Sequence, residues 1–259
     1  MMDNYENWFP FNKAGEAGRD TVLVFCFHHA GGTASGYRKW QELNDDALEF
    51  VPVELPGKGC RMDEGYIADM QALTEMAAEA VERFAEGRRF VFYGHSMGSA
   101  VAFRTAYELE KYHSCKPEVL IVSGRHSPCI HMTDRYTTDM DDEALINELT
   151  VMGGTPKEIL ENRELMEYLI PHIKNDYRLN ESFTYSGETV SIPIFAYAGT
   201  MDADATYDMM DEWEKVTSCG LKKREFEGNH FFLFDLGRPY VSMLKKRICA
   251  ALSKVSLHP

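Results

Sequence analysis

The chain has 259 residues, about two average domains by length, although single α/β domains routinely reach roughly 200–250 residues. Its 44% hydrophobic content excludes a disordered chain and permits a full core. Twenty-seven Lys and Arg against 41 Asp and Glu give a net charge of −14, which argues against nucleic acid or an anionic membrane as partner, since both require cationic surface. No apolar run reaches the roughly 18 residues of a membrane helix. The opening MMDNYENWFPFNK lacks a basic region followed by an apolar stretch, so no signal peptide is expected. Cysteines 26, 60, 115, 129, 219 and 249 form no C-x-x-C pair. They are expected as reduced thiols in the cytoplasm, with no structural zinc site.

In chain order, the first twenty residues are polar around Trp8, Phe9 and Phe11 and read as a short arm pinned by those aromatics. Residues 21–27 (TVLVFCF) form the first buried strand, and 50–55 (FVPVEL) the second. Residues 66–84 place Ile67, Met70, Ala77, Val81 and Phe84 on one helical face. A third strand at 90–93 (FVFY) runs into a helix at 97–112, and 119–123 (VLIVS) is a fourth strand. Residues about 126–190 break the rhythm, with helical pieces at 141–152, 156–160 and 164–179. They read as a lid inserted over the strand ends. Strand 194–198 (IFAYA), helix 206–216, a polar edge strand at 222–226 (KKREF) and helix 241–252 complete the chain. The alternation predicts a single α/β domain over 1–259, a mostly parallel sheet with helices on both faces.

Gly94-His95-Ser96-Met97-Gly98 fits G-x-S-x-G between a strand and a helix. A serine there sits on a tight, strained turn, and glycines remove the Cβ atoms that would collide. The Met97 amide at the helix N-terminus is then placed to stabilise an oxyanion. A glycine-flanked turn serine without chemistry shares the bare pattern. As a nucleophile Ser96 needs a base, and in this arrangement the order is Ser, acid, His. His230, in Gly-Asn-His-Phe-Phe after the last strand, is the candidate base. His131 and His172 fall in or beside the lid and His258 in the tail. The acid should follow strand 194–198, in Gly-Thr-Met-Asp-Ala-Asp. Asp202 is favoured, with Asp204 as the alternative acid or as a cap for the next helix. His28-His29-Ala30-Gly31-Gly32 follows the first strand, where this fold draws its second oxyanion N–H; Ala30 is the candidate. Adjacent histidines without a carboxylate or cysteine at ligand spacing argue against a metal there.

The sequence resembles the type II thioesterases, stand-alone partners of nonribosomal peptide and polyketide synthases. Phe27-His28-His29-Ala30-Gly31-Gly32 is similar to the family's F-P-H-A-G-G, with His28 in place of proline. Tyr37-Arg38-Lys39-Trp40, the Pro56-Gly57-Lys58 to Arg61 segment (Lys58 for an arginine), Ser123-Gly124-Arg125 with Pro128, Gly153-Gly154-Thr155-Pro156, Leu169-Ile170-Pro171 through Asp176-Tyr177, and Gly228 to Phe232 extend the match over about residues 20–240. Ser99 stands where alanine is common, and no proline follows the acid. The resemblance implies an α/β-hydrolase fold and a substrate acylated on the phosphopantetheine arm of a carrier protein. It implies an editing role and no cofactor. Carriers are acidic, so docking needs an apolar patch or a local cationic one, for which Lys58, Arg61 and Arg125 are candidates. The lid residues Met132, Met140, Leu145, Met152, Leu165 and Met166 either adapt to varied acyl groups or bury the lid against the core.

Overall fold

The computed structural model describes residues 5–16, 18–130 and 138–255; His131, Met132 and His258 lie outside them. Six strands, β1 (Val22–Phe27), β2 (Leu48–Pro52), β3 (Phe90–His95), β4 (Leu120–Ser123), β5 (Ile194–Gly199) and β6 (Leu221–Phe226), form one sheet in the order β2-β1-β3-β4-β5-β6. Every neighbouring pair is parallel. All six expected strands are present. The second starts at Leu48 rather than 50 and ends at Pro52, because its register against Val22–Cys26 of β1 sets its length.

The continuous apolar strands serve two cores, since successive side chains point to opposite faces. Leu23, Phe25 and Phe27 of β1 join Phe90 and Phe92 of β3 under helices α1 (Met70–Ala85) and α2 (Met97–Tyr112). Val22, Val24, Cys26, Val91 and Tyr93 face Tyr37, Trp40 and the last helix, α6 (Phe232–Val255). Asp69 caps α1 by accepting from the Ala72 amide, so the helix begins later than its apolar period suggests. Helix α6 starts nine residues before the expected 241 and is interrupted at Gly237, where φ is +52°. Residues 209–216 form a 3-10 helix rather than an α-helix, with the Thr206 hydroxyl accepting from the Met209 amide. The N-terminal aromatics pin the arm as expected: Trp8 and Phe9 are buried, and Phe9 packs on Phe25 and Phe84.

Between β4 and β5 lie α3 (Asp142–Met152), α4 (Lys157–Leu160) and α5 (Arg163–Glu181). Asp141 and Asn162 cap α3 and α5. These helices share a small core of Leu145, Met166, Ile170, Ile173 and Tyr177, against which Ala30 packs. Leu145 and Met166 therefore bury the insertion, each worth about 1.5–3 kcal/mol of transfer energy, while Met152 faces elsewhere. Among the described residues no helix is long and apolar enough to cross a membrane.

Candidate active site

The chain passes from β1 to β2 on one side and then crosses over to β3 on the other side of β1. The crevice outside the carboxyl ends of β1 and β3 is where such sheets place ligands. Ser96 stands at the end of β3 with φ +53° and ψ −120°, a conformation costing about 1–3 kcal/mol for a non-glycine residue. The glycines explain how it is tolerated. A Cβ on Gly94 would lie 2.3 Å from the Gly98 carbonyl oxygen, and one on Gly98 would lie 2.1 Å from that of Phe27. Ser99 supports the turn. Its hydroxyl donates to the Gly94 carbonyl (2.9 Å) and accepts from the Ser123 amide (3.1 Å), while the Ser96 amide donates to the Ser123 carbonyl (2.8 Å). An alanine at 99 would lack both side-chain links. The Ser96 hydroxyl makes no capping bond to α2. Met97 is the first residue of that helix, so its amide has no intrahelical acceptor.

His230 and Asp202 come from the loops after β6 and β5, which are adjacent strands. The two loops touch: Met201 donates its amide to the Gly228 carbonyl (2.9 Å), and a Cβ on Gly199 would lie 2.4 Å from the Asn229 carbonyl oxygen. His230 Nδ1 is 2.8 Å from Asp202 Oδ2, and both residues are buried. Asp202 Oδ1 accepts from the amides of Asp204 (3.0 Å) and Ala205 (3.2 Å). Asp202, rather than Asp204, is thus the carboxylate paired with His230. Burial raises the affinity of the Asp202 carboxyl for its proton, but the His230 hydrogen bond and charge, with the two amides, outweigh it and hold the pKa below its ordinary value.

The His230 ring centroid lies 5.0 Å from that of His95, the residue before Ser96. His230 Nε2 is buried with no protein hydrogen-bond partner, the Ser96 hydroxyl included. In unliganded hydrolases such bonds are often long and tighten with substrate. Gly124, at φ +59°, makes room: a Cβ there would meet His95 at 2.6 Å and His230 at 3.3 Å. Its importance to the base was not legible in the Ser-Gly-Arg string alone. Gly154 likewise lets the insertion approach the histidine loop, since its Cβ would lie 2.3 Å from the Phe231 ring. A cavity of about 70 Å³ is lined by Val151, Met152, Met201, Asp202, Asn229 and His230. In the loop after β1, Gly31 and Gly32 donate their amides to Asp176 (2.6 Å) and to the His29 carbonyl (3.0 Å), leaving the Ala30 amide outside these bonds.

Three other imidazoles crowd the site. Burial, then the Lys58 charge, lowers His28 to about 3; burial, then the His230 charge, lowers His29 to about 3. Burial, with His230 and His29, holds His95 well below the usual imidazole range. These groups stay neutral when folded but take up protons near pH 6.5 when unfolded. Stability is therefore expected to fall as the pH drops through 6.5 and to keep falling toward pH 3. By pH 5.5, His28 and His29 should cost about 1.4 kcal/mol each, and His95 acts in the same direction. Urea denaturation at pH 7.5, 6.5 and 5.5 measures this; an unchanged midpoint would show that the imidazoles are protonated in the native protein.

Two of the three expected cationic docking residues are not available. Lys58 and Arg61 are buried. Lys58 pairs with the buried Asp176, and Arg61 donates to the Glu54 carbonyl (3.1 Å) while stacking 4.3 Å over Trp8. Arg125 is half-buried and donates to Asn180 (2.7 Å). A cation in a core is satisfied locally, and sequence spacing does not reveal that.

A family model described as Thioesterase domain matches residues 23–246. Linear gramicidin dehydrogenase LgrE of Brevibacillus parabrevis is 35% identical over 216 residues, 82% of each chain. Dehydrogenase is that relative's name; here the glycine turn after β3 is built around Ser96. Thioesterase PikA5 of Streptomyces venezuelae is 33% identical over 233 residues, 90% of this chain and 83% of that protein. The solved type II thioesterase YbtT from the yersiniabactin NRPS/PKS biosynthetic pathway matches with TM-score 0.77 at 28% identity, covering 93% of this chain and 97% of that one. The chain belongs to the Thioesterase domain family, with the α/β-hydrolase fold, and is a type II editing thioesterase of nonribosomal peptide and polyketide synthesis.

Proposed function

We propose that the chain releases acyl groups from the phosphopantetheine arm of a carrier protein through an acyl-Ser96 intermediate. The observation that carries this reading is the His230–Asp202 pair, 2.8 Å apart, whose Nε2 is buried without a partner beside the Ser96 turn. Leaving such a nitrogen unpaired costs about 1–3 kcal/mol, a cost that a proton-transfer role explains.

Ser96 attacks the thioester carbonyl carbon while His230 Nε2 takes the hydroxyl proton. Asp202 accepts the Nδ1 proton's hydrogen bond, holds the tautomer and stabilises the imidazolium. The Met97 and Ala30 amides donate to the oxyanion. The C–S bond breaks, and the pantetheine thiolate leaves with the proton from His230. Water, deprotonated by the same imidazole, then attacks the acyl-Ser96 ester, and the carboxylic acid departs as the hydroxyl is restored. No cofactor takes part. In this reading residues 1–259 act as one domain in the cytoplasm, the insertion is its lid, and Met152 and Met201 adapt to the acyl group. With Lys58 and Arg61 buried, the carrier meets an apolar mouth, where Val151 and Met201 are 72% and 69% exposed.

Intact-mass measurement of acyl-loaded carrier proteins before and after incubation tests the reaction and partner together. The expected result is loss of the acyl mass with the arm retained, and release of free acid. Unchanged acyl carrier alongside rapid cleavage of an oxygen ester of equal chain length would make the protein a carboxylesterase. An acyl product on an added amine or alcohol would make it an acyltransferase.

A further inference from the structure

We propose that Asp176 of α5 is a positioning residue for the oxyanion loop, so that the seating of the inserted helix and the aim of the Ala30 amide are one event. The inference rests on the acyl-serine reading above and extends it to a residue outside the reacting set.

The geometry is specific. Asp176 Oδ2 accepts from the Gly31 amide at 2.6 Å and from the Lys58 ammonium. Gly31 is the residue after Ala30, and its φ of +78° is one that side-chained residues rarely adopt. Ile173, on the same helix, presses against it: a Cβ on Gly31 would lie 3.2 Å from Ile173 Cγ1. The loop is thus gripped by two side chains of α5 three residues apart. One turn earlier, His172 Nδ1 meets the Tyr66 hydroxyl, tying the helix to the loop after β2 as well. With Gly31 committed to Asp176 and Gly32 to the His29 carbonyl, the peptide N–H of Ala30 stays outside these bonds.

Electrostatics account for the third partner. A bare carboxylate beside an oxyanion site would repel the charge that develops there. Lys58 cancels it, and the two side chains pair inside the protein, Lys58 being 5% exposed. This is a use for Lys58 other than recruiting a partner.

The test compares Asp176→Ala, Asp176→Asn and Lys58→Met on an acetyl-pantetheine thioester, with an alkylboronic acid as probe of the oxyanion site and circular dichroism as the check of folding. Asp176→Ala should lower kcat by about 10²-fold with KM within about threefold, the signature of a lost transition-state contact, and weaken the boronic acid in parallel. Asp176→Asn retains an acceptor for the Gly31 amide and should recover most of kcat. Lys58→Met removes one of the two groups that hold the Asp176 carboxyl on the Gly31 amide and should lose kcat. Wild-type kcat in folded Asp176→Ala, or equal losses in the alanine and asparagine variants, overturns the proposal. If Asp176→Ala does not fold, wild-type kcat in Lys58→Met overturns it. Ser96→Ala is the separate control: near wild-type turnover there would overturn the acyl-serine reading, whereas wild-type kcat at 176 removes only the positioning role.

Discussion

Ser96→Ala is expected to lower kcat by about 10⁶-fold while leaving the protein folded. The size follows from the role. Without the hydroxyl no acyl-enzyme forms, and the His230–Asp202 pair has only water to activate, with no positioned leaving-group exchange. The fold should not register the change, since the side chain makes no capping bond to α2. Alanine carries the same Cβ into the strained backbone at φ +53°, so the turn keeps its cost and its glycines keep theirs. Stability should shift by less than about 0.5 kcal/mol, as for a substitution that removes no buried contact. Thioester hydrolysis, thermal midpoint and labelling by a fluorophosphonate probe are the measurements. Near wild-type hydrolysis in the purified variant would end the mechanism.

Asp202→Asn should cost about 10⁴-fold in kcat, and Asp204→Asn less than about tenfold, within the range of a residue that does not touch the imidazole. The asymmetry comes from hydrogen-bond direction. Asp202 Oδ1 is held by the Asp204 and Ala205 amides, so an asparagine there keeps its oxygen on those donors and turns its NH₂ toward His230 Nδ1. That nitrogen must then accept, and the proton moves to Nε2, the atom that has to receive the serine proton. The His230–Asp202 contact also fixes the pH sense. The depressed carboxyl contributes stability above its unfolded value near 3.9 and loses it only as the pH falls through the lower folded value. Instability near pH 6 therefore belongs to His28, His29 and His95 rather than to the acid. Equal losses at 202 and 204 would show that either carboxylate serves.

Both predictions concern residues that stand out in the sequence. Ser96 announces itself because a strand-to-helix turn with a strained centre needs glycines at fixed offsets, and local sterics are written locally. The central strands were legible for a similar reason: a strand buried on both faces is apolar at every position, as Val22 to Phe27 are, whereas β6 is polar because it lies at the sheet edge. His230 and Asp202 could be ranked by order and by position after strands. Their pairing could not, because it depends on β5 and β6 being neighbours and on Gly199 letting their loops touch.

Elsewhere the tertiary structure reversed or supplied the reading. Lys58 and Arg61 look like surface cations in a charged segment, and both are buried. Their partners, Asp176 at a separation of 118 residues and the Trp8 ring, are brought to them by the fold. The methionine-rich insertion divided between uses: Met166 fills the helices' own core, and Met152 faces the cavity beside His230. The sequence by itself determined the strand and helix types, the serine turn and the order of the candidate site residues, since these rest on local backbone geometry and short-period burial. Only the tertiary structure decided which carboxylate meets the imidazole, which cations are spent inside, and what holds the Ala30 loop, because each is a contact between residues far apart in the chain.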